Sequence, residues 1–214
     1  MPTIFITGGT GYMGSRLIRL LLDRNFQVRA LVRKGSEGKV PAGAVPVIGD
    51  AFSASSFTHE IPRGAIFVQL LGVAHPGPKK KVLFRKIDLA SALASVQAAR
   101  EAQVSHFVYI SVAQTPTKIM EDYQRCRAEA ESAIISSGLS ATFIRPWYVV
   151  GPGHFWPLFL QPLFKILEWI PSNAKKAKAL RLVYLKQMLR VMVHVIENPP
   201  KEIRIIEIEE IRRF

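Results

Sequence analysis

The chain has 214 residues, of which 49% are hydrophobic and 21% are charged, so it is not intrinsically disordered and can form one domain with a sizeable core. Its one cysteine, Cys126, excludes an internal disulfide framework and a zinc site built from cysteines, and we expect a reducing, cytoplasmic location. No basic region precedes the apolar N-terminal segment, so we expect no signal peptide.

The net charge is strongly positive, because 29 Lys and Arg against 16 Asp and Glu give +13. Such a charge fits nucleic acid, an anionic membrane surface or a phosphorylated ligand. The basic residues concentrate between residues 170 and 196 and in a second cluster at Lys79, Lys80, Lys81, Arg85 and Lys86. Solvated loops and helix faces explain each cluster most simply. No motif of a known nucleic-acid-binding module accompanies the charge, so we do not expect a nucleic-acid partner.

Apolar runs of strand length alternate with segments of helical periodicity through the first 145 residues. The pattern predicts strands at 3–7, 27–32, 45–48, 65–71, 106–111 and 141–145, and helices at 13–24, 87–102 and 119–137. This alternation requires right-handed crossovers. It therefore predicts an α/β fold with a Rossmann-type, doubly wound parallel sheet covered by helices on both faces.

The pattern changes after residue 145. The aromatic segment 155–170 is too short and too interrupted to span a membrane; an amphipathic helix is predicted at 183–196 and a last strand at 203–208. We predict one domain, 1–214, in which residues 146–202 form a small C-terminal helical substrate lid inserted before the last strand. If the aromatic residues are exposed instead, residues 155–190 would provide a peripheral membrane contact.

A glycine-rich loop lies between the first predicted strand and the first predicted helix. A dinucleotide pyrophosphate requires a tight turn, close approach of the backbone and the N-terminal end of a helix. Gly8, Gly11 and Gly14 can supply the turn, the close approach and the close packing of the helix, in that order. The loop is therefore predicted to bind a dinucleotide through Gly8, Thr10, Gly11, Tyr12, Met13 and Gly14.

This loop and several later motifs resemble the atypical and extended short-chain dehydrogenase/reductase superfamily. The later motifs are Gly49-Asp50, Leu70 to Ala74, Phe107 to Ser111, Ile144 to Pro146 and Val150 to Gly153. The short tail is more similar to the NAD(P)H-binding, NmrA-like and complex-I-accessory-like branches than to a sugar epimerase. The resemblance implies that Asp50 contacts adenine, that Leu71 and Gly72 lie beside the adenine-side ribose, and that Arg145, Pro146 and Trp147 lie beside the nicotinamide.

The end of the second predicted strand bears on the choice of cofactor. The strand ends at Arg33 and Lys34, without the acid that usually binds the ribose 2′-hydroxyl of NAD. A guanidinium can bind a 2′-phosphate through two hydrogen bonds, whereas a carboxylate would repel it. Arg33, helped by Lys34 or Ser36, therefore favours NADP, with NAD as the alternative. Arg33 could also be an ordinary exposed residue at a strand end.

The resemblance also implies a catalytic set at Ser111, Tyr123 and Arg127. In the superfamily a Tyr transfers a proton, a Lys four residues later lowers the pKa of the Tyr and binds the nicotinamide ribose, and a Ser polarises the substrate oxygen. Here Arg127 replaces the Lys, and an arginine supplies charge but cannot release a proton. Arg127 could equally pair with Glu131 and leave Tyr123 unactivated.

Two functions follow from these observations. The first is an NADP-dependent oxidoreductase that acts on a carbonyl or alcohol group of a small-molecule substrate, as a monomer or homodimer and without a metal. The second is a non-catalytic NADP(H)-binding regulator or assembly factor. We expect Cys126 to be a packing residue and His154 to be a surface loop residue rather than a proton donor.

Overall fold

Seven parallel strands form the central sheet of this computed structural model, which describes residues 2–115, 117, 120–155 and 180–214. The sheet strands are β1 (Ile4–Thr7), β2 (Val28–Val32), β3 (Val45–Ile48), β4 (Ile66–Gln69), β5 (His106–Ile110), β6 (Ala141–Arg145) and β9 (Arg204–Glu207). Their order is β3-β2-β1-β4-β5-β6-β9, and every adjacent pair is parallel. The predicted doubly wound sheet is confirmed. Two short strands, β7 (Val149–Val150) and β8 (Val183–Tyr184), form a separate parallel pair.

Helices cover both faces of the sheet. They are α1 (Gly14–Leu22), α2 (Lys81–Leu83), α3 (Ala90–Glu101), α4 (Glu121–Ser136), α5 (Leu185–Glu197) and α6 (Ile208–Ile211), with a π-helical turn at Phe84–Leu89 between α2 and α3. On one face α1 packs against α5, and on the other face α3 packs against α4. Within the described residues, no helix combines the length and the apolar character needed to cross a membrane.

The two faces of the sheet differ in their side chains. One core contains aliphatic residues of the strands, such as Ile6 and Val68, against α1 and α5. The other contains a row of phenyl rings: Phe67 lies with its ring centroid 5.3 Å from that of Phe5 and 5.0 Å from that of Phe107. The alternation follows from the pleat, which directs successive side chains to opposite faces. Because both faces are covered, the strands are nearly continuous apolar runs.

The structure corrects the predicted starts of two helices and adds a third helix. The helix predicted from residue 87 begins at Lys81, because Pro78 opens a preceding helical turn that runs directly into α2 and the π-helical turn. The helix predicted from residue 183 begins at Leu185, since Val183 and Tyr184 pair with β7. The last strand is followed by the unpredicted α6. Of the predicted lid, residues 146–202, the aromatic segment 155–170 lies outside the described residues, except for the exposed Phe155.

Candidate cofactor-binding and active site

A crevice is expected where the direction of strand order reverses. Within the sheet, β2 and β3 lie on one side of β1, and the chain then crosses to β4 on the other side of β1. In open α/β sheets ligands bind outside the carboxyl ends of the strands at such a switch point. The loop after β1, residues 8–14, and the loop after β4, residues 70–77, border this point. We call them the phosphate loop and the β4 loop.

Gly8 allows the two loops to begin in direct contact. Its φ of +71° is in the left-handed region that favours glycine. A Cβ atom on Gly8 would lie 2.7 Å from the backbone nitrogen of Leu71, so any side chain here would push the loops apart. Gly14, the first residue of α1, is equally constrained, because its Cβ would lie 2.3 Å from the carbonyl oxygen of Gly8. The positive φ of Gly8 fits the turn, and the close contact at Gly14 fits the helix packing, that the sequence predicts for these two glycines.

Gly11 differs from these two glycines because it is exposed. A Cβ atom there would contact only the carbonyl oxygen of Gly8, at 3.1 Å. The first turn of α1 has no side-chain cap, since its N-cap residue is Met13. Uncapped amides at a helix N-terminus attract anions. The open side of the loop at Gly11 and Thr10 can therefore accept a phosphate.

Arg33 and Lys34 follow β2, next to the phosphate loop in the order of the sheet. Both side chains are exposed and, within the described part of the chain, form no hydrogen bond or ion pair. The nearest acid in the sequence is Glu37. Hydrogen bonds from its own backbone amide and that of Gly35 hold the pKa of the Glu37 carboxyl below its usual value. Two free cations thus lie where the adenine-side ribose of a dinucleotide is expected.

Asp50 follows β3 at the same edge of the sheet and is exposed. One oxygen of its carboxylate accepts a hydrogen bond from the Phe52 amide at 3.0 Å. The backbone amide of Asp50 in turn donates to the hydroxyl of Ser56 at 2.9 Å. These contacts fix the loop after β3 and leave one side of the Asp50 carboxylate free for a ligand.

Arg127 is buried at the carboxyl end of β5 and is held by three groups. Its Nη2 donates to Oδ1 of Asp88 at 2.5 Å, and its Nη1 donates to the Ile110 carbonyl at 2.9 Å and to Oη of Tyr109 at 3.2 Å. The predicted alternative, that Arg127 pairs with Glu131, is wrong. Glu131, one turn further along the same helix face, instead accepts two hydrogen bonds of 2.9 and 2.5 Å from Arg145, which ends the neighbouring strand β6.

Asp88 was not predicted from the sequence as a site residue. This buried carboxylate lies in the π-helical turn and also accepts a hydrogen bond from the Val73 amide at 3.1 Å. It therefore ties the β4 loop to Arg127. Gly72 makes room for the pair, since a Cβ atom there would lie 2.5 Å from Nη2 of Arg127 and 2.7 Å from Oδ1 of Asp88. One signal was available: Asp88 is the single acid between Glu60 and Glu101.

Tyr123 lies one turn before Arg127 on α4. Its ring packs 4.9 Å from that of Phe84, and Cζ of Arg127 lies 5.2 Å from the ring centroid. Burial raises the pKa of the Tyr123 phenol, and the positive charge of Arg127 opposes this effect only in part. Tyr123 is therefore protonated at neutral pH and can donate a proton, but it is not poised as a base.

Ser111 follows β5 directly and is buried. Its Oγ is one of the few buried side-chain atoms without a hydrogen-bond partner in the described parts of the chain. Such an atom is costly to leave unpaired, which points to a partner supplied by a ligand. Arg127 holds the carbonyl of the residue before Ser111, so the strand end and Tyr123 converge on one guanidinium.

The predicted nicotinamide side is formed by the end of β6. The Arg145 guanidinium is occupied by Glu131 and by Glu207, to which it donates at 2.9 Å, so only its backbone remains for a cofactor. The Pro146 carbonyl accepts a hydrogen bond from the Ala113 amide at 2.9 Å. Trp147 packs against both hydrophobic cores. These contacts hold the strand end beside the loop that follows β5.

Cys126 is buried on α4, and burial raises the pKa of its thiol. A thiol with a raised pKa is a poor nucleophile. Cys126 is therefore a packing residue of the core.

The sequence and the fold were compared with known proteins. Residues 8–151, well over half of the chain, match the model of a family described as NAD(P)H-binding. A ceramide reductase of Caulobacter vibrioides is 23% identical over 214 residues, which cover 98% of this chain and 65% of the relative. The photosystem II assembly factor Ycf39 of Cyanophora paradoxa is 23% identical over 145 residues, covering 67% of this chain and 44% of the relative. The chain thus spans about two thirds of the first relative and less than half of the second.

Among solved structures, the enzyme WbmH of Bordetella bronchiseptica in complex with NAD+ superposes with a TM-score of 0.72 at 19% identity. The match covers 97% of this chain and 76% of that one. At this identity the likeness establishes the fold alone. The family match shows that the chain belongs to the NAD(P)H-binding family, and the superposition shows that it has a Rossmann-type fold.

Proposed function

We propose that this protein binds NADP(H) in the switch-point crevice and uses NADPH to reduce a carbonyl group of a small-molecule substrate. The observation that carries the proposal is the position of Arg127, which holds the strand end before Ser111 and lies against the ring of Tyr123. The name of the C. vibrioides relative, a reductase, agrees with this direction of reaction.

The chemistry divides between the cofactor and three side chains. When bound, NADPH supplies a hydride to the carbonyl carbon. Tyr123 donates the proton of its hydroxyl to the carbonyl oxygen, which Ser111 orients through a hydrogen bond. Arg127 stabilises the phenolate that remains on Tyr123 until solvent restores the proton. Because burial raises the pKa of Tyr123, the protonated phenol that reduction requires predominates at neutral pH.

The preference for NADP(H) rests on Arg33 and Lys34. Both side chains are exposed after β2 and unpaired among the described residues, so a 2′-phosphate would not compete with an internal carboxylate. A phosphate accepts two parallel hydrogen bonds from a guanidinium. NADH, which lacks this phosphate, would gain nothing from either side chain.

One observation favours a second function, an NADP(H)-binding regulator or assembly factor without turnover. Both terminal nitrogens of Arg127 are occupied by Asp88, the Ile110 carbonyl and Tyr109, and its Nε is buried and lacks a partner within the described residues. The terminal nitrogens of Arg127 thus serve protein groups rather than a ribose, in contrast to the lysine that the superfamily uses. The relative named as an assembly factor is consistent with this alternative.

NADPH oxidation distinguishes the two functions. Wild type, Tyr123→Phe and Ser111→Ala would be measured against a panel of aldehydes, ketones and quinones. We expect turnover to fall by about 10²-fold or more in Tyr123→Phe, while the Kd for NADPH stays unchanged, because the phenol contributes a proton and not cofactor affinity. Arg127→Lys, which retains the charge, serves as the comparison. Binding of NADPH without turnover in both the wild type and Arg127→Lys would support the second function.

A further inference from the structure

The rings of three residues from three different loops, one of them the phosphate loop, pack against one another. Tyr12 belongs to the phosphate loop, His75 to the β4 loop, and His154 to the turn after β7. The ring centroid of His154 lies 4.2 Å from that of Tyr12 and 4.6 Å from that of His75. The two imidazoles are nearly parallel, at 19°. His154 therefore connects the two loops that border the crevice.

The surroundings of these rings are positively charged. Cζ of Arg16, on α1, lies 4.6 Å from the Tyr12 ring centroid, and its Nη1 donates to the Tyr12 carbonyl at 2.7 Å. Nζ of Lys80 donates to the His75 carbonyl at 3.0 Å. No acidic side chain of the described residues forms an ion pair with Arg16, His75, Lys80 or His154. Burial, then the charges of His75 and Arg16, lower the pKa of His154 by more than the Pro152 carbonyl raises it, so this imidazole is neutral at pH 7 in the free protein.

Two polar atoms in the cluster lack partners. Oη of Tyr12 and Nδ1 of His154 are buried and form no hydrogen bond with any described residue. Buried polar atoms are normally satisfied, so a ligand atom is the natural partner for Nδ1 of His154, whereas Oη of Tyr12 lies against Gly151. A cation-rich cluster without a counter-anion, placed on a loop suited to phosphates, favours an anionic ligand.

We propose that His75 and His154 form a clasp that binds the pyrophosphate of the dinucleotide, and that His154 takes up a proton when the dinucleotide binds. The proposal rests on the cofactor site proposed above and adds two ligating residues and a proton to it. A pyrophosphate diester is anionic throughout the neutral range, and its negative charge favours imidazolium over imidazole. Cofactor affinity should therefore increase as the pH falls toward 6.

Calorimetric titration at pH 7 in two buffers of different ionisation enthalpy measures the protons taken up. The proteins are wild type, the double variant His75→Gln/His154→Gln, and His59→Gln, which removes an exposed histidine elsewhere on the surface. Each is titrated with NADPH and with NADH, because NADH lacks the 2′-phosphate monoester, whose own second pKa lies near about 6. The difference between wild type and the double variant isolates the two histidines.

We expect wild type and His59→Gln to take up about half a proton more per bound dinucleotide than the double variant. The Kd of the double variant should be higher by about five- to tenfold at pH 6, and its dependence on pH should be flatter. Equal proton uptake in wild type and double variant, with both binding the cofactor, would overturn the clasp and leave the cofactor site standing. Absence of dinucleotide binding in the wild type would overturn both.

Discussion

Arg127 binds three protein groups at the position where the superfamily has a lysine. A lysine at this position has one terminal nitrogen, whereas the guanidinium serves Asp88, a strand-end carbonyl and Tyr109 at once. The spacing of Tyr123 and Arg127 on one helix face was predictable from sequence, because i and i+4 positions always adjoin. The pairing with Asp88 was not, because the two residues are 39 positions apart and meet only through the π-helical turn.

The pair predicts a specific pattern of stability. Arg127→Ala should lower the free energy of unfolding by about 3–5 kcal/mol, because it leaves the buried carboxylate of Asp88 without a counter-charge. The double variant Asp88→Ala/Arg127→Ala should lose less than the sum of the single variants. Urea denaturation measures both.

The exposed pair of Arg85 and Glu129 provides the control. Arg85→Ala should cost about 1 kcal/mol or less, since solvent screens this pair. A loss in Arg127→Ala no larger than the loss in Arg85→Ala would show that the buried pair does not stabilise the β5 end.

His106 predicts how stability depends on pH. It is fully buried at the start of β5 between the hydroxyls of Ser140 and Thr142, and burial lowers its pKa from 6.5 to about 4. The folded protein therefore binds fewer protons than the unfolded chain between these values. Stability should fall as the pH is lowered through this window, by on the order of 3 kcal/mol from this residue.

Denaturation between pH 7 and pH 4 compares wild type with His106→Asn and with His59→Asn. The slope should become shallower in His106→Asn alone, because His59 is exposed. The same slope in all three proteins would mean that His106 is readily protonated in the folded state.

At the level of elements, the phosphate loop and the strands were the most predictable parts of the molecule. Strands buried on both faces are continuous apolar runs, and glycines between a strand and a helix have few alternative explanations. The start of α2 was not predictable, because Lys79 to Lys81 carry no apolar periodicity and the helix continues through a π-helical turn. The same π-helical turn places Asp88 beside Arg127. It therefore explains both why the start of the helix was predicted too late and why Asp88 was not predicted as a site residue.

Two glycine variants separate folding from cofactor binding in the phosphate loop. Gly11→Val should weaken NADPH binding by about tenfold or more, or about 1.4 kcal/mol, because its side chain occupies the open side of the loop. Gly11→Ala should weaken binding less. Gly14→Ala should instead lower the free energy of unfolding by about 1–3 kcal/mol, since its Cβ meets the Gly8 carbonyl oxygen at 2.3 Å.

Thermal unfolding without cofactor and titration with NADPH measure the two effects. An unchanged Kd in Gly11→Val would show that the dinucleotide does not approach the loop at this glycine. Equal destabilisation by both variants would contradict the distinction between an open and a packed glycine.

At the level of the whole molecule, the order of the strands places the site. Because β1 and β4 are neighbours, the phosphate loop and the β4 loop meet, while the ends of β2 and β3 carry Arg33, Lys34 and Asp50 along the same edge. The alternation of strands and helices was sufficient to predict the doubly wound parallel sheet that carries these strand ends. It was not sufficient to predict the substrate side, since residues 156–179 lie outside the described chain and no periodic pattern defines their packing.

The relative affinity for NADPH and NADH tests the central claim, a dinucleotide site in the crevice with Arg33 on the 2′-phosphate. Calorimetric titration would compare wild type, Arg33→Asp and the control Arg63→Asp, an exposed residue that precedes β4 and so lies at the opposite edge of the sheet. We predict that wild type and Arg63→Asp bind NADPH at least about tenfold more tightly than NADH, and that Arg33→Asp loses or reverses this preference. Equal affinities in the wild type, or no binding of either dinucleotide, would contradict the claim.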